Sequence, residues 1–300
     1  VAVSLRPTRR TILTAASAML AAGLPFPALA RTSKPRLAAI DWAMLETAIA
    51  IGHMPVAAAE LIRFRADVVE PVVPEDVIDL GLRGAPNFEL LQLIRPDLIL
   101  SSPFYTKYDD RLAQIAPLLS LPFYIPGDPP LPKALSAITA LAEAVDDPQA
   151  GTRTLTETEA SFTDIAARLA PFADLPVALV NIGDARHMRT FGFDSLFGST
   201  LVRLGLQNAW SEATRFSFHA PVPIEQLAAM TDARLVIIGD IPSEARRSLA
   251  ASILWHALPP VAANRVFFLP ETNPFGGIPA ALRFAAALAG AFEQGPRPLA

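Results

Sequence analysis

Apolar and polar positions along this chain follow a helical period and then a strand-like one, and the same succession is written twice. PNFELLQLIRPDLILSS, from Pro86 to Ser102, reads as a helix start with an early glutamate (Glu89), an apolar helix, a turn and a buried strand at 98–100. VPIEQLAAMTDARLVIIGD, from Val222 to Asp240, repeats it with Glu225 and a strand at 235–238. Short unbroken apolar runs of this kind suit parallel strands covered on both faces. Upstream of each lies a second matched pair, DWAMLETAIAIGHMPVA (Asp41 to Ala57) and FDSLFGSTLVRLGLQNAW (Phe193 to Trp210). Each reads as a helix closed by a glycine, Gly52 or Gly205, which takes the left-handed cap conformation without a Cβ penalty. VALVNIGD (Val177 to Asp184) and NRVFFLP (Asn264 to Pro270) supply further strands.

Between the halves, Thr152 to Phe172 carries apolar residues at Leu155, Phe162, Ile165 and Leu169, with Gly151 just before it. About twenty helical residues span roughly 30 Å, the width of a small domain. The pattern predicts an α/β protein of two Rossmann-like lobes with central sheets, residues 32–150 and 174–298, joined by one long α-helix over 152–172. The chain is 300 residues long, enough for two such lobes.

Residues 1–30 stand apart. Arg9 and Arg10 precede an uncharged apolar stretch to about Leu24, and Ala28-Leu29-Ala30 closes it. That order is a cleavable signal peptide cut near Ala30, and TRRTIL (Thr8 to Leu13) points to the twin-arginine type over an ordinary one. The segment carries three arginines and no acid, so its removal takes the formal charge from −4 to −7. With no basic runs, nucleic acid is not an expected partner. The absence of cysteine excludes disulfides and a lipid-modified cysteine anchor. No later stretch is long and apolar enough to span a membrane, and Ala281 to Phe292, interrupted by Arg283, reads as a docked amphipathic helix. A free periplasmic monomer is the expectation.

Enzyme motifs are missing. Ser195 in GFDSLFG is one place out of a nucleophile elbow and is followed by bulky Leu196, and no P-loop or G-x-G-x-x-G occurs. His53, His187, His219 and His256 are scattered without metal-ligand spacing, so direct metal binding is not expected. His53 and His187 read as satisfying local backbone or helix-end partners.

Four stretches then carry a likeness: DVIDLGLRGAPNFELL (Asp76 to Leu91), RLAQIAP (Arg111 to Pro117), RHMRTFGFDSLF (Arg186 to Phe197) and GLQNAW (Gly205 to Trp210). Together they resemble the helix-linked substrate-binding proteins of iron-siderophore, haem and cobalamin importers, and within them the FhuD-type hydroxamate-siderophore binders. The resemblance spans nearly all of the chain beyond residue 30. It implies capture without chemistry, with no cofactor and the iron held by its chelator. The ferric siderophore would pass to an ABC permease driven by a cytoplasmic ATPase. It further implies that Arg83 and Tyr105 contact hydroxamate oxygens, with Tyr108 as an alternative to Tyr105. Where ferrichrome binders carry pocket aromatics, this chain places Asp67, Ser217, Asn273 and Phe275, with Arg215 and His219 nearby. These replacements imply a more anionic chelate than ferrichrome, with carboxylate or mixed carboxylate–hydroxamate arms. Glu89 and Glu225 match the acids that dock the permease, with Asp109 and Asp110 competing for the N-lobe role. A haem or cobalamin binder of the same fold is the rival reading, and an exported α/β hydrolase a more distant one.

Overall fold

The computed structural model describes residues 34–68, 70–210, 212 and 221–299. The expected export signal over 1–30 and the candidates Arg215, Ser217 and His219 lie outside the described residues. Residues 35–300 cluster as one compact unit.

Two five-stranded sheets organise it. The first contains β1 (Leu37–Ala39), β2 (Ala57–Ala58), β3 (Ile78–Asp79), β4 (Leu98–Ser101) and β5 (Leu118–Ser120), in the order β3-β2-β1-β4-β5, all parallel. The second contains β6 (Val177–Ile182), β7 (His187–Thr190), β8 (Val222–Pro223), β9 (Arg234–Ile238) and β10 (Val266–Leu269), in the order β8-β7-β6-β9-β10. There β6, β9 and β10 run parallel, while β7 and β8 pair antiparallel at one edge. The two apolar runs of the internal repeat become β4 and β9, buried from their second residue on. Each lies beside the first strand of its sheet, so the repeated sequence occupies equivalent places.

Seven of the helices bear on the inner core and the site: α1 (Trp42–Ala50), α2 (Leu61–Asp67), α3 (Phe88–Ile94), α4 (Pro130–Ala144), α5 (Pro148–Leu169), α6 (Leu196–Arg203) and α7 (Ile278–Gln294). Side chains stop the ends of several. Asp41 accepts from Met44 N at the start of α1, and Asn87 accepts from Leu90 N at the start of α3. Gly52 and Gly205, with φ of 78° and 81°, follow α1 and α6 as the pattern predicted.

The long linking helix differs at its start. It begins at Pro148, capped by Asp147, so Gly151 lies inside the first turn and not ahead of the helix. Packing explains the glycine there, because a Cβ would fall 2.7 Å from that of Ala142 on α4. The segment holding Glu225 is a 3-10 turn (Ile224–Ala229), not an α-helix. A 3-10 coil rises further per residue, so few residues suffice to carry the chain from β8 toward β9.

Each sheet has an outer core of its own, around Leu80, Leu91 and Ile99 in the first and Leu235, Ile237 and Trp255 in the second. The inner faces do not form two further cores. Leu45 of α1, Phe162 of α5, Phe197 of α6 and Phe284 of α7 belong to one continuous apolar cluster between the sheets. The rings of Phe197 and Phe284 stack at 4.6 Å. Burial of each such side chain is worth about 1.5–3 kcal/mol, so this layer resists any motion that would part the halves. Among the described residues no helix is long and apolar enough to cross a membrane.

Candidate functional site

In an open α/β sheet ligands meet the carboxyl ends of the strands where the strand order reverses. In the first sheet that point lies between β1 and β4. There Asp41 accepts a hydrogen bond from Ser102 Oγ at 2.9 Å. In the second sheet it lies between β6 and β9, where Asn181 Nδ2 donates to the Ile238 carbonyl at 2.9 Å. Asn181 and Ile238 at the second point, and Trp42 next to Asp41 at the first, border one cleft of about 390 Å³. Trp42, Arg63, Asp67 and Arg83 form its wall on the first-sheet side. Asn181, Arg189, Phe191, Phe197, Ile238 and the segment 271–275 form the opposite wall.

Two contacts hold Arg83. It sits at the apex of a two-stranded hairpin, Gly81–Leu82 against Ala85–Pro86, which Gly81 opens with a φ of 77° that only glycine adopts cheaply. Its Nε donates to Glu60 Oε2 at 2.6 Å. Its guanidinium lies over the Trp42 ring, 3.8 Å from the centroid. Tyr105 stands close enough for the guanidinium to act on its hydroxyl electrostatically. Burial is the main reason that the Tyr105 hydroxyl is pushed up to about 12, so it stays a neutral donor. Tyr108 has another task, donating its hydroxyl to the Gly84 carbonyl and packing its ring edge against Phe88. Of the two tyrosines, Tyr105 therefore shares the surroundings of Arg83, and Tyr108 braces the hairpin.

The wall carries mixed charge. Arg63 pairs with Asp67 at 2.9 Å, one turn apart on α2. Arg189 faces them from β7. Glu271 is raised above the ordinary carboxylate range, first by burial and then by Asp67 and Asp240. Arginine forks present planar paired donors to oxygen-rich ligands and stay charged.

Of the residues singled out from sequence, Arg83, Asp67, Asn273 and Phe275 border the cleft, and Tyr105 adjoins it through Arg83. Asn273 is nearly buried, and its amide is spent within the protein: Nδ2 donates to Glu46 and Oδ1 accepts from Phe275 N. Sequence reasoning misses Trp42, Arg63 and Arg189. A tryptophan next to the N-cap after β1 is the available signal for the first. The two arginines look like solvated surface. Glu89 and Glu225 both lie exposed in the first turn of their helices. Ser195 is buried and caps α6, donating to the Gly192 carbonyl and accepting from Gly198 N. His53 bonds Asp147, the cap of α5, at 3.1 Å, and His187 bonds Asp184, three residues before it, at 3.0 Å, so the first has a helix-end partner and the second a local one. Among the described residues no group of His, Cys, Asp and Glu side chains gathers as a metal cage.

Comparison with known proteins agrees with this geometry. The periplasmic binding protein family model matches residues 37–272. The iron(3+)-hydroxamate-binding protein FhuD of Escherichia coli (strain K12) is 33% identical over 249 residues, 83% of this chain and 84% of that protein. The crystal structure of the Fe3+-Desferal-bound siderophore-binding protein FhuD from Vibrio cholerae matches with a TM-score of 0.78 and 25% identity, covering 86% of this chain and 98% of that one. The petrobactin-binding protein YclQ of Bacillus subtilis shares the fold at 16% identity, with a TM-score of 0.69 over 87% of this chain and 93% of its own. Two sheets meeting at a common cleft, and a sequence matched from β1 to the cleft wall, make this chain a member of the periplasmic binding protein family.

Proposed function

We propose that this protein captures a ferric siderophore, of hydroxamate or mixed carboxylate–hydroxamate type, and delivers it to an ABC permease without performing catalysis. The observation that carries this reading is the Arg83 guanidinium, seated on Trp42, clamped by Glu60 and turned to a cleft between two sheets. Relatives named for iron(3+)-hydroxamate and Fe3+-Desferal support it. The functional anatomy is an export signal over 1–30, lobes over 32–150 and 174–298, and a linking helix over 152–172. The mature monomer works in the periplasm after twin-arginine export. Arg83 and Tyr105 donate to hydroxamate oxygens, Asp67 and Phe275 line the cleft beside them, and Arg215, Ser217 and His219 supply further ligand contacts. Arg63 and Arg189 favour chelates with acidic arms. The inner core shared by both halves keeps closure around the ligand small.

Intrinsic fluorescence tests the reading, since ferric chelates quench nearby tryptophan. Trp42 lines the cleft, whereas Trp255 is buried in the outer core of the second sheet. Saturable quenching by a ferric siderophore is expected, and Trp42→Phe should remove most of its amplitude. Quenching that survives Trp42→Phe intact would place the ligand elsewhere. A Soret band on purified protein, without response to any siderophore, would turn the reading to haem.

Permease docking by Glu89 and Glu225 has a separate test. Glu89→Arg and Glu225→Arg together should leave siderophore affinity unchanged while stimulation of the reconstituted transporter's ATPase falls by about tenfold or more. Full stimulation by the double variant would move docking to other acids, with Asp109 and Asp110 first.

A further inference from the structure

Glu46 is fully buried, and its carboxylate reaches from α1 to the segment that closes the cleft on the opposite side. Oε1 accepts from Asn273 Nδ2 at 3.0 Å, and Oε2 accepts from Gly277 N at 2.8 Å and Ala280 N at 3.2 Å. Those two amides open α7, whose N-cap, Gly277, has no side chain to cap with. A distant element therefore satisfies donors that a helix end leaves unpaired. Asn273 is tied at its other end too, because its Oδ1 accepts from Phe275 N at 3.0 Å. Tyr124 reinforces the arrangement, donating to the Gly276 carbonyl at 2.7 Å and meeting the Phe275 ring edge-on at 5.3 Å. The glycine at 276 is a consequence, since a Cβ there would fall 2.4 Å from Glu46 Oε2. Trp42, which carries Arg83, lies four residues before Glu46 on the same helix, and residues four apart share a helix face.

We propose that Glu46 is a positioning residue for ligand recognition: acting through Asn273, it holds the 273–275 wall of the cleft in register with the Trp42–Arg83 wall without touching the ligand. The inference rests on the cleft being the ligand site. Its chemistry calls for a carboxylate. All three neighbours donate, so a protonated Glu46 must point its own hydrogen at one of them and give up that bond. Turning the Asn273 amide does not repair the mismatch, because its NH2 would then face Phe275 N–H. Burial lifts Glu46 to about 7, with Asp41 acting in the same direction, so both forms are reached near neutrality. The acidic groups facing Glu46 are Asp41 from its own helix end and Tyr124 from the opposite side, and burial keeps Tyr124 neutral.

The experiment compares wild type, Glu46→Gln, Asn273→Asp and the double variant. In Glu46→Gln the amide nitrogen takes the place of Oε1 and opposes the Asn273 NH2, while in the double variant it faces a carboxylate and the pairing is restored with donor and acceptor exchanged. Two readouts are taken: amide hydrogen exchange at Gly277 and Ala280 in ligand-free protein, and affinity for Fe3+-Desferal from pH 6 to 8. Wild-type affinity should weaken roughly fivefold on acidification through neutrality. Glu46→Gln should flatten that profile, weaken binding about tenfold, the equivalent of one lost buried hydrogen-bond pattern, and speed exchange. The double variant should recover both. Unchanged exchange and affinity in Glu46→Gln overturns the proposal, as does weak binding in the double variant with exchange restored, which would make Asn273 a direct contact. If wild type fails to bind the probe, the hydroxamate reading falls, and the exchange series alone decides whether Glu46 orders the wall.

Discussion

Replacing Arg83 by alanine should weaken binding of a ferric hydroxamate by roughly ten- to 150-fold, the loss of one charge-assisted interaction worth about 1.5–3 kcal/mol. The expectation rests on how much of the guanidinium is already organised. Glu60 holds Nε and the Trp42 face supports the plane, so little rotamer entropy remains to be lost when a ligand arrives. Arg83→Lys should fall between wild type and alanine, because an ammonium keeps the charge but cannot offer a planar fork or lie flat on the indole. Calorimetric titration at fixed pH measures all three. Affinity within twofold of wild type for Arg83→Ala would remove this residue, and the first-sheet wall with it, from recognition. Glu60 is mostly buried beside Arg83, so the variant's melting temperature should be recorded in parallel to separate lost binding from lost fold.

The second large effect is on stability, and it runs against common experience with carboxylates. Glu46 is raised from 4.5 to about 7, chiefly because burial penalises its charge. A group whose folded value lies above its unfolded one contributes stability that is fully present below the unfolded value. That contribution is lost as pH rises through the folded value. Between about pH 4.5 and pH 7 the folded protein holds a proton at Glu46 that the unfolded chain has released. At about 1.4 kcal/mol per unit, the cost by neutral pH is roughly 3 kcal/mol. Glu46→Gln cannot ionise, so its stability relative to wild type should climb as pH rises from about 4.5 to about 8. Denaturant unfolding of both proteins at several pH values measures this, and the difference removes the contributions common to the two. The paired carboxylates Asp147, Asp174, Asp184 and Glu293, all held below their ordinary range by hydrogen-bonded partners, act in the opposite direction in both proteins. A stability difference independent of pH over that range would mean that Glu46 titrates in the folded protein at or below its unfolded value. The physical sense of such a cost is that the charged form orders the cleft wall, so stability is given up where recognition needs a fixed geometry.

These two residues also mark what can and cannot be read from the chain. Arg83 is legible because a glycine on either side marks a turn, and because its neighbours match a family motif. Glu46 is not. In WAMLETAIA a Glu-Thr pair in an apolar helix looks like the narrow stripe that faces water, and nothing local says that it is covered. What covers it is the start of α7, more than two hundred positions along the chain. Trp42 and the cleft arginines share this property, since each becomes a wall residue only when its partner wall is brought up.

Apolar runs bounded by turn signals specify β4, β6, β9 and β10 from the chain alone, whereas the two- and three-residue strands around them leave no such trace. The chain alone also marks where α1 and α6 close, because Gly52 and Gly205 act within one turn, and the sister halves, because the repeat is written in the order of residues. Three features come from packing between distant segments: the inner faces merge into one core, the linking helix takes in Gly151 to approach Ala142, and Glu46 spans the two walls. Periodicity and capping are local free energies and are visible along a string. Shared burial and hydrogen bonds between distant segments depend on which surfaces meet, and no local pattern carries that information.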